Sequence, residues 1–476
     1  MLRVLFVTTE AYPFMKTGGL ADVCYALPKA LQKLEVDARV IMPKYMLISE
    51  NHKKSMEKLA EFSVPLSWRN QYCGLEYLEY DGIPFYFIDN EYYFKRSTSY
   101  GHYDDGERFS YFCRAVLESI KNMPDFVPDI IQCNDWQSGM VAPLIQAFYK
   151  DDPRFSSIKT IFTIHNLKYQ GIYPEATLSS LLGLSHDYFT EDKLKFYDCI
   201  SFMKGGINFS NMITTVSKSY AEEIKFPFYG EGLDGLLNEK SDRLVGIENG
   251  IDPNLYDPKT NKDIFYQYSS TSLDIKLKNK EELQTMLGLK KDLTIPLIGI
   301  VSRLVAQKGL DLIDAVMEDI MKLPVQIVIL GTGDMKYEFM FRYYADKYPG
   351  KISANLYFDE TLANKIYAAS DLFLMPSLFE PCGIGQLIAL RYGSLPIVRE
   401  TGGLKDTVHS YDEATGTGNG FSFANYNAHD MLYTIKRALA LYQDKKLWNE
   451  IVAVAMEENM SWEKSAAEYK ALYSKI

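Results

Sequence analysis

Charged residues and glycines recur together at four places in this 476-residue chain. The first is Lys16-Thr-Gly18-Gly19-Leu-Ala-Asp22, where two glycines let the backbone approach a ligand and the helix that follows presents unpaired N–H groups, a natural seat for an anion. The same residues also make an ordinary strand-to-helix turn with a surface lysine, and the segment alone does not choose. The second is Ser302-Arg303-Leu-Val-Ala-Gln-Lys308-Gly. Arg forks onto phosphate oxygens, Lys supplies a point charge, and together they offset the charge of a diphosphate leaving group. A solvated Arg and Lys at a helix start is the alternative, but cations there oppose the helix dipole, which suits a site awaiting an anion. The third, Phe379-Glu380-Pro-Cys-Gly383-Ile-Gly385, sets a carboxylate in a strand-to-helix turn, either beside a substrate or merely capping a helix, with glycines that permit close backbone approach. The fourth, Glu400-Thr401-Gly402-Gly403-Leu404, repeats the Gly-Gly turn.

Missing signatures narrow the chemistry. No Gly-x-Gly-x-x-Gly follows the first apolar run, which counts against a nicotinamide or flavin dinucleotide, and no Gly-x-x-x-x-Gly-Lys-[Ser/Thr] supports a P-loop ATPase. There is no Asp-x-Asp, the compact carboxylate pair that holds a divalent ion in many sugar-nucleotide enzymes. Phosphates bound here must be neutralised by the chain's own cations. The six cysteines lie far apart, without metal-ligand spacing, and read as reduced thiols.

The elements that must position these residues alternate in type. Arg3 to Thr8, Ala38 to Met42, Ile130 to Cys133 and Lys159 to Ile164 read as buried strands; Leu20 to Leu34, Arg108 to Lys121 and Met140 to Tyr149 carry helical periodicity. A second series has strands at 295–301, 325–330, 356–358, 372–375 and 395–398, with helices at 310–321, 335–347, 364–369 and 386–391. Such alternation implies parallel sheets with helices on both faces. Between the two series the stretch from Tyr256 to Lys280 reads as turn-rich, and the hinge falls near Leu244 to Asp252. The expected architecture is α/β: two doubly wound, Rossmann-like domains facing across a cleft, residues 1–245 and 246–459, with a C-terminal helix at about 460–476 crossing back onto the first. Ligands in such sheets sit beyond the carboxyl ends of the strands.

Composition agrees with a large soluble protein. The chain is 47% hydrophobic and 24% charged, and at about 100–200 residues per domain it needs at least two cores. Its formal net charge of −11 weighs against a broad grip on nucleic acid or an anionic membrane. The apolar run from Val4 to Val7 is closed by Glu10, too short for a signal peptide, and no stretch nears the roughly 18 apolar residues of a membrane span. A cytoplasmic location is the expectation.

Taken together, Lys16 to Val23, His165-Asn166 within Thr163-Ile-His-Asn-Leu-Lys-Tyr-Gln-Gly171, Ser302 to Leu312, Pro376 to Gly383 and Thr401 to Val408 closely resemble bacterial glycogen synthases and plant starch synthases, over nearly the whole chain and in order. The Lys-Thr-Gly-Gly-Leu segment resembles the members that use ADP-glucose. The resemblance implies a GT-B type glycosyltransferase fold and transfer of glucose from ADP-glucose to the 4-hydroxyl at the non-reducing end of an α-1,4-glucan such as glycogen or starch, with retention and without metal or cofactor. It implies that Lys16 and the amides of Gly18 and Gly19 touch the donor's phosphate and glucose, and that Arg303 and Lys308 bind the diphosphate. By the same resemblance Tyr357 stacks on adenine, Glu380 is the central carboxylate with Gly383 beside it, and Thr401-Gly402-Gly403 helps hold the phosphates. His165 lies beside the glucosyl group and Asp135 lines the acceptor side. A lone histidine at a strand end is ordinarily structural, so only the resemblance gives His165 a ligand, as a neutral donor to a sugar hydroxyl.

The chain departs from the pattern in two places. Related retaining transferases carry a second glutamate eight residues after the first, where this chain has Ile388, and Asn134 and Gln137 stand where relatives have His. A retaining hydrolase needs two carboxylates about 5–5.5 Å apart, one of them a nucleophile; here Glu380 stands alone. The favoured route is therefore attack on the face from which ADP departs, through an oxocarbenium-like state, the leaving oxygen taking the acceptor's proton. Of the rival readings, a dehydrogenase lacks its fingerprint, and an inactive glucan-binding protein would be expected to lose Arg303, Lys308 or Glu380. The nearest rival is an enzyme of the same fold using UDP-glucose.

Overall fold

A strand sandwiched between two layers of helices must be apolar on both faces, and Val4, Leu5, Phe6 and Val7 are each 0% exposed. The computed structural model describes Met1–Ile476, in two units: Met1–Asn249 with Trp462–Ile476, and Gly250–Ser461.

The first unit is built on β1 (Leu2–Val7), β2 (Val36–Pro43), β3 (Glu57–Leu66), β4 (Arg69–Tyr80), β5 (Ile83–Asp89), β6 (Ile130–Asn134) and β7 (Lys159–Ile164), then β8 (Ile172–Pro174), β9 (Lys195–Phe196), β10 (Cys199–Ser201), β11 (Met212–Thr215) and β12 (Leu244–Gly246). Nine of these form one sheet in the order β12-β11-β7-β6-β1-β2-β5-β4-β3, while β8, β10 and β9 make a small separate sheet. The chain runs outward from β1 through β2 on one side and returns to β6 on the other, so the topological switch point lies between β1 and β6.

The second unit has β13 (Leu297–Val301), β14 (Gln326–Leu330), β15 (Ile352–Asn355), β16 (Leu372–Met375), β17 (Leu395–Arg399) and β18 (Phe421–Phe423), ordered β15-β14-β13-β16-β17-β18. Every pair in it is parallel, and its switch point lies between β13 and β16.

Three expectations are corrected. The first sheet is mixed, because β3, β4 and β5 form an antiparallel meander at its edge. The β4–β5 turn is Asp81-Gly82, with φ of 51° and 78°, the left-handed pair a type I′ hairpin requires. In the second unit the edge strand is Ile352–Asn355, not 356–358; that apolar triplet lies in the following loop, with Phe358 79% exposed. The stretch from Tyr256 to Lys280 contains the start of a helix, Leu273–Met286. Its buried face carries Lys276, Asn279, Lys280, Leu283 and Gln284, so no apolar stripe announces it. Lys276 donates to the carbonyls of Ala368 (2.8 Å) and Tyr392 (2.9 Å), and Lys280 to Asp371 Oδ2 (2.7 Å) and the Tyr442 hydroxyl (3.0 Å). The helix docks through cations.

The last helix, Trp462–Tyr473, packs on the helix Gly19–Gln32 that carries the Gly-Gly turn at its start. It buries Trp462, Ala466, Tyr469, Leu472 and Tyr473, and the Tyr473 hydroxyl donates to Gln132 Oε1 on β6. Leu472 is 6% exposed; Leu472→Ala is expected to cost about 2–5 kcal/mol, as burial lost plus a cavity. Thermal or urea unfolding would read this, and an unchanged transition would contradict the seating of the helix.

Candidate active site

Each unit gathers chemistry-bearing residues at the carboxyl ends of three adjacent strands flanking its switch point. In the first unit these are β1, β6 and β7. Glu10, just past β1, is 4% exposed. Its carboxylate accepts from the Thr17 amide and the Thr17 hydroxyl, each at 2.6 Å, from the Gly18 amide at 3.2 Å and from the Tyr100 hydroxyl at 2.9 Å. The Gly18 amide, expected to await a donor, is therefore held by the chain's own carboxylate. A Cβ at Gly18 would meet nothing within 4 Å, so the protein's packing does not itself demand a glycine there. Gly19 opens the helix Gly19–Gln32, and Lys16 pairs with Asp22 in its first turn at 3.0 Å.

Asp135 follows β6 with φ 56° and ψ 177°, a backbone region that non-glycine residues occupy at a cost of about 1–3 kcal/mol and that clusters at functional sites. The bend is held at both ends. The Asp135 amide donates to Thr163 O at 2.9 Å, and Asp135 Oδ1 accepts from the amides of His165 (2.8 Å) and Asn166 (3.3 Å), just beyond β7. Burial pushes the Asp135 carboxyl up to about 7 against the pull of these two N–H groups, while burial drives the His165 imidazole down to about 3, so the ring is neutral. His165 Nε2 lies 2.9 Å from Asn134 Oδ1.

In the second unit the strands are β13, β16 and β17. Past β13 a turn at Ala306–Lys308 leads into the helix Leu310–Ile320. Gly309 joins them at φ 68°, where a Cβ would stand 1.9 Å from Pro376 O, so only glycine lets the turn seat against the exit of β16. The seat is stitched by the Leu378 amide to Gln307 O (2.9 Å) and Gln307 Nε2 to Phe379 O (3.2 Å). It brings Lys308 Nζ to 2.6 Å from Glu380 Oε2, both side chains largely buried, and Ser377 Oγ donates to the same oxygen at 3.1 Å. Lys308 is thus paired with the carboxylate, while Arg303, on the same loop, is exposed. Thr401 is buried. Gly402, at φ 46°, presses on Glu380 O, which a Cβ would approach to 2.0 Å, and the Gly403 amide donates to Glu380 O (3.2 Å) and Pro381 O (3.1 Å). The second Gly-Gly turn therefore braces the Glu380 loop. Gly383, also left-handed, lies against Gln386. Tyr357 stands in the loop after β15 and is 49% exposed.

Sequence reasoning missed three residues that organise these loops. Glu10 was visible only as the charge ending an apolar run. Arg399 ends β17 and is 7% exposed; its guanidinium donates to the carbonyls of Ser377 (2.9 Å), Leu378 and Ala424 (3.4 Å), holding the segment that leads to Glu380. Gln386 Nε2 donates to the carbonyls of Cys382 and Gly383, each at 3.0 Å. A charged residue at or just past the end of a buried strand is the signal common to Glu10 and Arg399. No group of three or more His, Cys, Asp or Glu is placed to hold a metal ion, all six cysteines are free, and no helix is long and apolar enough to cross a membrane.

The raised Asp135 carboxyl carries a stability signature. Its folded value of about 7 exceeds the usual unfolded value of about 3.9, so the folded state holds the extra proton and this group's contribution declines from about pH 4 to pH 7 and is level above. Asp135→Asn keeps the side-chain size and an oxygen for the two amides, and removes the titration. The variant's melting temperature relative to wild type should rise across that window; a constant difference from pH 4 to 8 would refute the assignment.

Comparison with known proteins names this arrangement. The starch synthase catalytic domain family matches residues 3–239 and the glycosyl transferases group 1 family residues 286–452. The glycogen synthase of Clostridium acetobutylicum is 60% identical over 476 residues, covering all of both chains, and that of Clostridium novyi is 58% identical over 475 residues, covering 100% of this chain and 99% of its own. The catalytic domain of starch synthase IV from Arabidopsis thaliana, solved bound to ADP and acarbose, superposes with a TM-score of 0.94 at 36% identity, covering 100% of this chain and 99% of that one. A sucrose-phosphate synthase from Thermosynechococcus elongatus, at 15% identity and a TM-score of 0.63, shares the fold alone. With its two α/β units of the GT-B class and full-length identity above one half to named relatives, the chain belongs to the glycogen synthase family and is a glycosyltransferase.

Proposed function

We propose that this glycosyltransferase moves glucose from ADP-glucose to the 4-hydroxyl at the non-reducing end of an α-1,4-glucan, with retention, releasing ADP, and that it needs neither metal nor cofactor. The observation that carries the reading is the Lys308–Glu380 pair at 2.6 Å on a loop shared with exposed Arg303. Cations placed in advance, partly out of water, stabilise charge that grows on a departing diphosphate without reorganising at the moment of reaction. The solved relative that holds ADP, 36% identical over this whole chain, supports adenosine diphosphate as the leaving group, and Tyr357 offers an exposed ring for the base.

The same pair bears on the retaining step. Glu380 is ion-paired with Lys308 and accepts from Ser377 through the same oxygen, so its carboxylate is already engaged. The position eight residues on is Ile388, packed in the core of the second unit. Neither group is a poised nucleophile, which favours attack from the side on which ADP leaves. In this route Glu380 orients Lys308 and supplies negative charge near the developing oxocarbenium ion; Arg303 and Lys308 stabilise the diphosphate; Lys16 contributes a further cation; His165 touches the transferred sugar; and Asp135 holds the acceptor-side loop. A UDP-glucose enzyme on the same scaffold is the alternative, separated by one assay.

With glycogen as acceptor and excess EDTA present, kcat/KM for ADP-glucose should exceed that for UDP-glucose at least about tenfold, roughly 1.4 kcal/mol of discrimination. Comparable values for both donors, or activity that returns only when Mg²⁺ is restored, would overturn the proposal.

Arg303→Ala gives the cleaner test of the leaving-group role, because an exposed side chain is removed with little effect on stability. It should lower kcat by about 10² to 10³ at an unchanged melting temperature. Lys308→Ala should lower kcat similarly and also reduce stability, since it strands the Glu380 carboxylate unpaired. Glu380→Gln should lower kcat with the fold intact. If all three keep kcat within about threefold of wild type, roughly 0.65 kcal/mol, the catalytic reading fails.

A further inference from the structure

Asn134 ends β6 and is 1% exposed. Its side-chain amide nitrogen donates to Val7 O at 3.0 Å, on the neighbouring β1, and to Gln132 O at 3.3 Å. Two carbonyls can be satisfied only by the NH₂ end of the amide, so the orientation of the side chain is settled: Oδ1 points away from them, and His165 Nε2 lies 2.9 Å from it. An amide oxygen has no proton to give. The proton in that contact therefore belongs to Nε2, and a neutral imidazole that carries its proton on Nε2 has a lone pair on Nδ1. The ring's own backbone is fixed as well, through the His165 amide to Asp135 Oδ1 at 2.8 Å.

We propose that Asn134 is a positioning residue that locks His165 in the Nε2–H tautomer, so that Nδ1 presents an unprotonated acceptor to a hydroxyl of the transferred sugar. This reverses the expected polarity: His165 receives the hydroxyl's hydrogen bond rather than donating one. Burial, which keeps the ring neutral, acts in the same direction. The assignment of a sugar to His165 rests on the function proposed above, whereas the tautomer rests on the contacts of Asn134 with β1, β6 and the His165 ring and on the ring's burial.

The two parts are tested separately. In protein labelled with ¹⁵N at its six histidines, the ring signals of His165, identified by their loss in His165→Ala, should show a pyrrole-like Nε2 and a pyridine-like Nδ1 at neutral pH. In Asn134→Leu the preference for Nε2–H should disappear, while in Asn134→Asp, which retains an acceptor oxygen, Nε2 should stay protonated. A wild-type ring protonated on Nδ1 or on both nitrogens overturns the proposal even if neither variant folds, as does an unchanged tautomer in a folded Asn134→Leu. The sugar contact is read with monodeoxy analogues of ADP-glucose. One hydroxyl should exist whose removal lowers kcat/KM at least about tenfold in wild type but less than about twofold in His165→Ala. If no hydroxyl behaves so while the spectra show Nε2–H, the placement of His165 beside the sugar is wrong and the tautomer lock stands.

Discussion

A carboxylate removed from water must find hydrogen-bond donors or a cation, because desolvation otherwise returns it to its neutral form. Three such carboxylates, Glu10, Asp135 and Glu380, each stand just past a strand that borders a topological switch point, and each gathers the loop on which function depends. Glu10 collects the amides of Thr17 and Gly18 and two hydroxyls. Asp135 collects the amides of His165 and Asn166, which offset its desolvation only in part. Glu380 collects Lys308 and Ser377. Each pulls together segments that the chain alone would leave apart, so the need to solvate a buried anion becomes the means of fixing a loop. The sheets supply the other half of the constraint. Parallel strands all end on one edge, and the reversal of strand order leaves a gap there into which these loops turn.

The two units meet the same requirement with different donors, and the difference follows from what each loop carries. In the first unit backbone amides solvate the carboxylates, so the loops are rigid but the amides are no longer open to a ligand. That is why the Gly18 amide, read from sequence as an open anion seat, is occupied. In the second unit a side-chain cation does the work, and a cation that already faces one anion can accept another alongside it. Lys308 can thus be both a structural partner of Glu380 and a contact for a diphosphate, with exposed Arg303 beside it on the same loop.

Much of this was legible in the sequence where local pattern and tertiary demand agree. Lys159–Ile164, Met335–Lys347 and Leu372–Met375 coincide with the expected elements to the residue, because a buried parallel strand or an amphipathic helix announces itself in its own periodicity. The β3–β5 meander was missed although Asp81-Gly82 is a strong hairpin signal; β3 and β4 are partly solvated and read as weak alternation. The helix Leu273–Met286 was invisible for a sharper reason, since its buried face is mostly polar, with two lysines and a single leucine. Among site residues, the Gly-rich and charged motifs were legible as positions but not as partners. Lys308 and Glu380 lie 72 residues apart, and nothing local to either says that they touch. Nor can a sequence say which way a side-chain amide faces, so the tautomer of His165 had to wait for the two carbonyls that orient Asn134.

Those long-range pairings also explain why the site residues cannot be treated as independent. Removing one member of a buried ionic or amide contact strands the other, and the stranded group then seeks water, a proton or a new partner. A loss of rate at Lys308 therefore mixes two effects, the missing cation and a loosened Glu380 loop, which Arg399 and the Gly402–Gly403 turn also brace. Arg303 carries no such second duty, being exposed. The duties are divided: groups that position are buried and mutually satisfied, whereas Arg303, exposed on the same loop as Lys308, is open to an incoming charge.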